Sequence, residues 1–188
     1  MKTTLAKVIL PLLLVLPSCA PDQAAHRTAV SPSPGSTKLS NAIHEKVNAY
    51  RNSCGAHGLT RHAGLDRLAQ SHSQYMLQKR GTFGLHGKNV SHMGCEGRAA
   101  AAAAHFGMMS NSENVASTVM AGSDANTAEN LLKLWKGSPA HEAAIRAREY
   151  THTGVGVAVD KDGTVFATQL FGAGGNSMRS SHQRFTGF

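Results

Sequence analysis

Between Thr153 and Asp160 the chain places Gly154, Gly156 and Ala158 on one set of alternate positions and Val155, Val157 and Val159 on the other. Alternation with period two is the signature of a strand, whose successive side chains point to opposite faces. One face is therefore packed with valine and the other is close to bare backbone. Something comes within backbone distance of the bare face, and either a ligand or a tightly packed helix satisfies that requirement. Lys161-Asp162-Gly163 supplies a turn, and Thr164 to Phe171 returns as the partner strand of a hairpin.

Upstream the period changes to that of helices. Leu39, Ile43, Val47 and Tyr50 fall at helical spacing and stop near Cys54-Gly55, where glycine can take the left-handed terminating conformation. Leu65, Leu68, Ala69, His72, Tyr75 and Met76 form a second stripe, predicting a helix over 63–80 that ends at Gly81. His72 lies on its buried face, where a hydrogen-bonded core histidine is the expected role. The run 98–105 holds six consecutive alanines and is expected to be helical on propensity, with little side chain to pack. Asn126 is expected to cap a further helix, with Glu129 at the capping-box position and Leu131, Leu132, Leu134 and Trp135 inward. Pro139 starts a short helix to about Ala147, and Glu113 to Val119 is a candidate third strand. Helices, one or two middle strands, a helix pair and a closing hairpin predict an α+β layered domain with a small antiparallel sheet.

The front of the chain points to export. Lys2 and Lys7 precede and flank the apolar run 8–16, which has the length of a signal-peptide core and is too short to span a bilayer. Residues 1–18 are read as a signal peptide. Ser18-Cys19 resembles the lipobox at which bacteria acylate a new N-terminal cysteine, which would anchor the protein at the membrane as a cell-envelope lipoprotein. The alternative is a fully secreted chain, with Cys19 the last residue of the leader. Residues 19–38, rich in Pro, Ser, Ala and Thr, are expected to form a flexible tether. Residues 39–172 make one domain, and 173–188 a mobile basic tail.

The formal charge of +8 falls by two once Lys2 and Lys7 are removed and stays basic. With no long basic run and 5% aromatic residues, nucleic-acid binding is not expected. Beyond Cys19 there remain Cys54 and Cys95. In an oxidising compartment their expected fate is a disulfide closing a loop of about 40 residues, against the alternative of two reduced, buried thiols.

Several phrases recur in a known order: Asn48-Ala49-Tyr50-Arg51, residues 69–76, Ser91-His92-Met93-Gly94 with Arg98, Glu113-Asn114-Val115-Ala116, residues 135–141, and the Gly-Val-Gly-Val hairpin. Together they resemble the CAP superfamily of cysteine-rich secretory proteins, venom antigens and plant pathogenesis-related proteins. The resemblance covers 39–172 and implies an α-β-α sandwich. It also implies a cleft of two histidines and two acidic residues, here His92, His141, Glu113 and, as second acid, Glu129. His86 is a rival for the first histidine without the Ser-His-x-Gly and arginine context. Glu142 and Ala144 stand where the family usually shows arginine and asparagine.

Two imidazoles, His92 and His141, would hold a divalent metal such as zinc weakly, and less so as pH falls through their titration. A zinc-peptidase motif at His141-Glu142 fails at its second ligand, where Ile145 stands. No Gly-x-Ser-x-Gly elbow is present, so nucleophilic catalysis lacks a candidate. The resemblance favours a non-catalytic binding module that engages a lipid, glycan or protein ligand at the envelope. A metal-dependent hydrolase acting on peptide or envelope polymer is the alternative, and a purely structural envelope protein the third.

Overall fold

The computed structural model describes residues 34–80 and 90–174. The expected signal peptide, Cys19, most of the tether, His86 and the tail past Gly174 lie outside the described residues. The apolar stripes become helices α1 (Pro34–Ser53), α2 (Ala63–Gln78), α3 (Cys95–Phe106), α4 (Asp124–Lys136) and α5 (Pro139–Arg146). The strands are β1 (Thr60–Arg61), β2 (Met108–Val119), β3 (His152–Val159) and β4 (Thr164–Gly174).

Some boundaries differ from expectation for local reasons. Pro34, whose fixed φ suits a first helical position, starts α1 five residues before Leu39, so 34–38 is helix rather than tether. Ala173 and Gly174, expected in the tail, extend β4, with Gly174 opposite Met108. Ser123, not Asn126, caps α4, its hydroxyl accepting from the Asn126 N–H at 3.2 Å. Glu129 therefore sits beyond the capping-box position and pairs with Lys46 on α1 at 3.1 Å.

The strand order is β1-β3-β4-β2. The β3–β4 and β2–β4 pairs are antiparallel, whereas the two-residue β1 runs parallel to β3, so the sheet is mixed rather than wholly antiparallel. Helices α1, α4 and α5 cover one face, where Leu39, Ile43, Val47, Leu131, Trp135 and Ile145 meet Val155, Val157, Val165 and Phe171. Helices α2 and α3 cover the other, with Leu65, Ala69, Ala102 and Met76 against Leu170, Met108 and Phe166. This is the expected α-β-α sandwich.

The glycine face of β3 is taken by a helix. A Cβ at Gly154 would lie 2.1 Å from the Leu65 carbonyl carbon, and one at Gly156 would lie 2.2 Å from that of Ala69. Backbone thus rests on backbone, and close packing rather than ligand approach explains the pattern. Because β1 pairs only with His152 and Thr153, the rest of that β3 edge needs other partners. Asp66 Oδ1 accepts from the Val155 N–H at 2.8 Å, while the Gln70 amide accepts from Val157 N–H at 3.0 Å and donates to its carbonyl at 2.9 Å.

The expected Cys54–Cys95 bridge is not formed, and both thiols are free. Cys54 follows α1 on one face of the sheet and Cys95 opens α3 on the other. A disulfide needs its two Cα atoms within about 7 Å, and the sheet stands between them.

Candidate functional site

β2 is an edge strand, so the two helical layers converge beside its free edge. Successive residues of β2 face opposite layers: Glu113 turns toward α3 and Asn114 toward α5. His92 lies in the segment that enters α3, and its carbonyl accepts the first turn's Cys95 N–H at 2.9 Å. His141 lies in the first turn of α5, which Pro139 starts. Across the edge the His92 and His141 rings come to 5.7 Å between centroids, tilted by 51°.

Arg98 organises the near side. Its Nε donates to Glu113 Oε2 at 2.6 Å and its Nη2 to Oε1 at 2.8 Å, while Nη1 holds the Met93 carbonyl at 2.8 Å. Such a two-pronged guanidinium–carboxylate pair is directional as well as strong. The Glu113 side chain is only 6% exposed and His92 45%, so the acid is the buried anchor and the histidine the accessible group. His92 Nδ1 donates to Glu113 Oε1 at 2.9 Å. In the neutral ring with that tautomer, Nε2 keeps its lone pair.

The far side is held by backbone contacts. The Asn114 amide donates to the His141 carbonyl at 3.1 Å. Arg51, fully buried at the end of α1, donates to the carbonyls of His57, Ala147, Tyr150 and Ile145, fixing the exit of α5. Burial first, and then the neighbouring His92, lowers the His141 pKa below the ordinary imidazole value, which favours its neutral form.

His72 has the core role expected of it, together with one that the sequence does not show. Its Nε2 donates to the Ser91 carbonyl at 2.7 Å, and its ring stacks on Tyr75. It therefore positions the residue preceding His92. Arg98 was visible only as context for the Ser-His phrase, and nothing local indicates that it reaches Glu113. Asn114 carried a signal in its pairing with Glu113 along β2.

Of the four residues expected to share a cleft, His92, Glu113 and His141 come together. Among the described residues, no hydrogen bond or ion pair joins Glu129 to them. The donor set is correspondingly thin for a metal. Both Glu113 oxygens are engaged by Arg98 and His92, and among the described residues no group of three or more His, Cys, Asp or Glu side chains is arranged to hold an ion. Zinc sites use four protein ligands, or three and a water. The residues present do not fit such a site; they offer two imidazoles.

The model of the cysteine-rich secretory protein family, CAP, matches residues 44–171, more than half of the chain. The chain belongs to this family. No curated protein sequence matches it. Among solved structures it is similar to an outer surface protein from Borrelia burgdorferi, with 15% identity, TM-score 0.56, and 72% of this chain and 92% of that one covered. An extracellular protein containing an SCP domain from Bacillus anthracis gives 20% identity and TM-score 0.52, covering 76% of this chain and 44% of that one. NaASP2 with Zn2+ gives 13% identity and TM-score 0.53, covering 77% and 85%. At these identities the likeness concerns the fold, and all three agree with the CAP sandwich seen here. The glycines of β3 and the edge position of β2 are how this member builds it.

Proposed function

We propose that this CAP protein is an exported, envelope-anchored binding module whose His92–Glu113–His141 cleft engages a lipid, glycan or protein ligand without turnover. The observation that carries the reading is the meeting of two imidazoles at 5.7 Å beside a carboxylate already saturated by Arg98. A general base works best when its orienting acid is free to stabilise the charge it gains. Here Arg98 competes for both Glu113 oxygens, which favours binding over proton transfer. His92 Nε2 is an acceptor with an exposed ring, suited to a donor group on a ligand. Export and anchoring rest on the apolar run 8–16 and Cys19, and membership of a secretory-protein family agrees with export.

A divalent metal is no part of this reading, because His92 and His141 have no free carboxylate beside them to complete a site among the described residues. The hydrolase reading has one observation in its favour, the hydrogen bond from His92 to Glu113.

The test is to purify the protein from its native envelope, with and without His92→Ala and His141→Ala, and identify released small molecules, metal and captured partners. The expected result is a co-purifying ligand that both substitutions remove, with no hydrolysis of peptide or envelope polymer at any metal supplied. A ligand retained by both variants, or turnover abolished by either in a folded protein, would reject the proposal.

A further inference from the structure

A cavity of about 260 Å³ lies between α3 and the sheet, and its origin can be read from the helix. Residues 99–104 are all alanine, and Ala102 is the only residue of α3 that is buried. Ala99 and Ala102 form one wall, while Leu65 and Leu170 form another. The pocket opens to solvent on one side, and one water's share of the liquid, about 30 Å³, sets the scale of what fits inside it. The space here therefore holds roughly eight non-hydrogen atoms on that scale. The walls between Ala99, Ala102, Leu65 and Leu170 are apolar, which favours an apolar guest there.

The rim decides which guest. Arg98 and Glu113 line it and neutralise each other, so among the described lining residues no free cation awaits an anionic head. Glu96, exposed at the same rim, adds negative charge. His92, also at the rim, retains an accepting Nε2. We propose that this cavity binds the alkyl end of a small uncharged amphiphile of about eight non-hydrogen atoms, whose hydroxyl or amide head donates to His92. The inference deepens the ligand-binding reading of the His92 cleft by naming what lies beside it.

The full chain is titrated with heptan-1-ol and with heptanoate, following backbone and alanine methyl signals by NMR, for the wild type, Ala99→Leu and the exposed control Ala104→Leu. Heptan-1-ol is expected to bind saturably, shifting the Ala99 and Ala102 signals, at least tenfold more tightly than heptanoate. Ala99→Leu fills the space and weakens binding at least tenfold, whereas Ala104→Leu leaves it unchanged. Absence of saturable binding to the wild type, or heptanoate binding as well as the alcohol, overturns the proposal whether or not the Ala99→Leu variant folds. So does unchanged affinity in a folded Ala99→Leu protein. Those outcomes leave the cleft reading standing, because that reading depends on the native ligand's response to His92 and His141 substitution.

Discussion

On one face of a single sheet, two helices meet the strands through small residues to opposite effect. Under α2, Gly154 and Gly156 remove the side chains of β3, so the helix backbone descends until Leu65 and Ala69 touch the strand. Under α3, the small residues lie on the helix instead, while Leu170 remains on the sheet, and a cavity is left. Glycine on the strand closes the layer. Alanine on the helix leaves it open. The tight half carries hydrogen bonds from Asp66 and Gln70 to the β3 backbone, whereas the loose half is tied at its entry by Arg98. The accessible imidazole belongs to the loose half, which places recognition where packing is least complete.

The comparison is broken most severely by filling the tight half. Gly156→Val would drive side-chain atoms into the Ala69–Gln70 peptide, a backbone obstacle that cannot rotate away. Overpacking ordinarily costs about 1–3 kcal/mol, and here a loss of about 3 kcal/mol or failure to fold is expected in urea denaturation. Ala99→Leu, which adds as many carbon atoms to the loose half, should change stability by less than about 1 kcal/mol, since the added atoms enter existing space. Similar losses for the two would mean that the two halves are equally packed.

Removing the tie should come next. Arg98→Ala leaves Glu113, 6% exposed, without its guanidinium. Breaking a buried pair from one side costs about 3–5 kcal/mol, and partial exposure of Arg98 reduces this to about 2 kcal/mol, still above the median of exposed pairs. Glu113→Gln in the same background should recover much of the loss, because the uncompensated charge is gone. A rescue that fails would mean that Arg98 acts by packing or through the Met93 carbonyl alone.

The same contrast explains what could be read from the chain beforehand. The hairpin, the helices and the layered class were legible because period two and period 3.6 are properties of contiguous residues. The convergence of His92 with His141 was legible only through family phrases, since no local rule brings those positions to one strand edge. Glu129 is off the capping-box position because Ser123 rather than Asn126 caps α4, and its pairing with Lys46 could not be read before α1 and α4 were known to pack together. The Cys54–Cys95 bridge failed for a topological reason, as the pattern of α1 and α3 does not say that they cover opposite faces. β1, at two residues, is too short to carry any periodicity.

The smallest expected effect sharpens the role of His72, which links the tight helix to the loose half through Ser91. Burial lowers its pKa, Arg98 adds to the shift, and His92 does so slightly, while the Ser91 hydrogen bond and Glu113 act in the opposite sense. The folded protein therefore resists protonation at a pH where the unfolded chain, with an imidazole value near 6.5, already accepts it. Protons then favour unfolding, and the stability contributed by neutral His72 is present above about pH 6.5 and lost progressively as pH falls toward its folded value. His152, lowered by burial and by neighbouring His62, acts in the same sense. A single such group changes stability by at most about 1.4 kcal/mol per pH unit. His72→Gln retains a donor for the Ser91 carbonyl and cannot titrate, so urea melts at pH 7.5 and 5.5 should show a flatter loss with acid than the wild type. The His92 to His141 approach should survive at both pH values in this variant, because the tie to Ser91 is kept. An unchanged acid slope would assign the loss to His152 and the other histidines, leaving His72 as a packing residue alone.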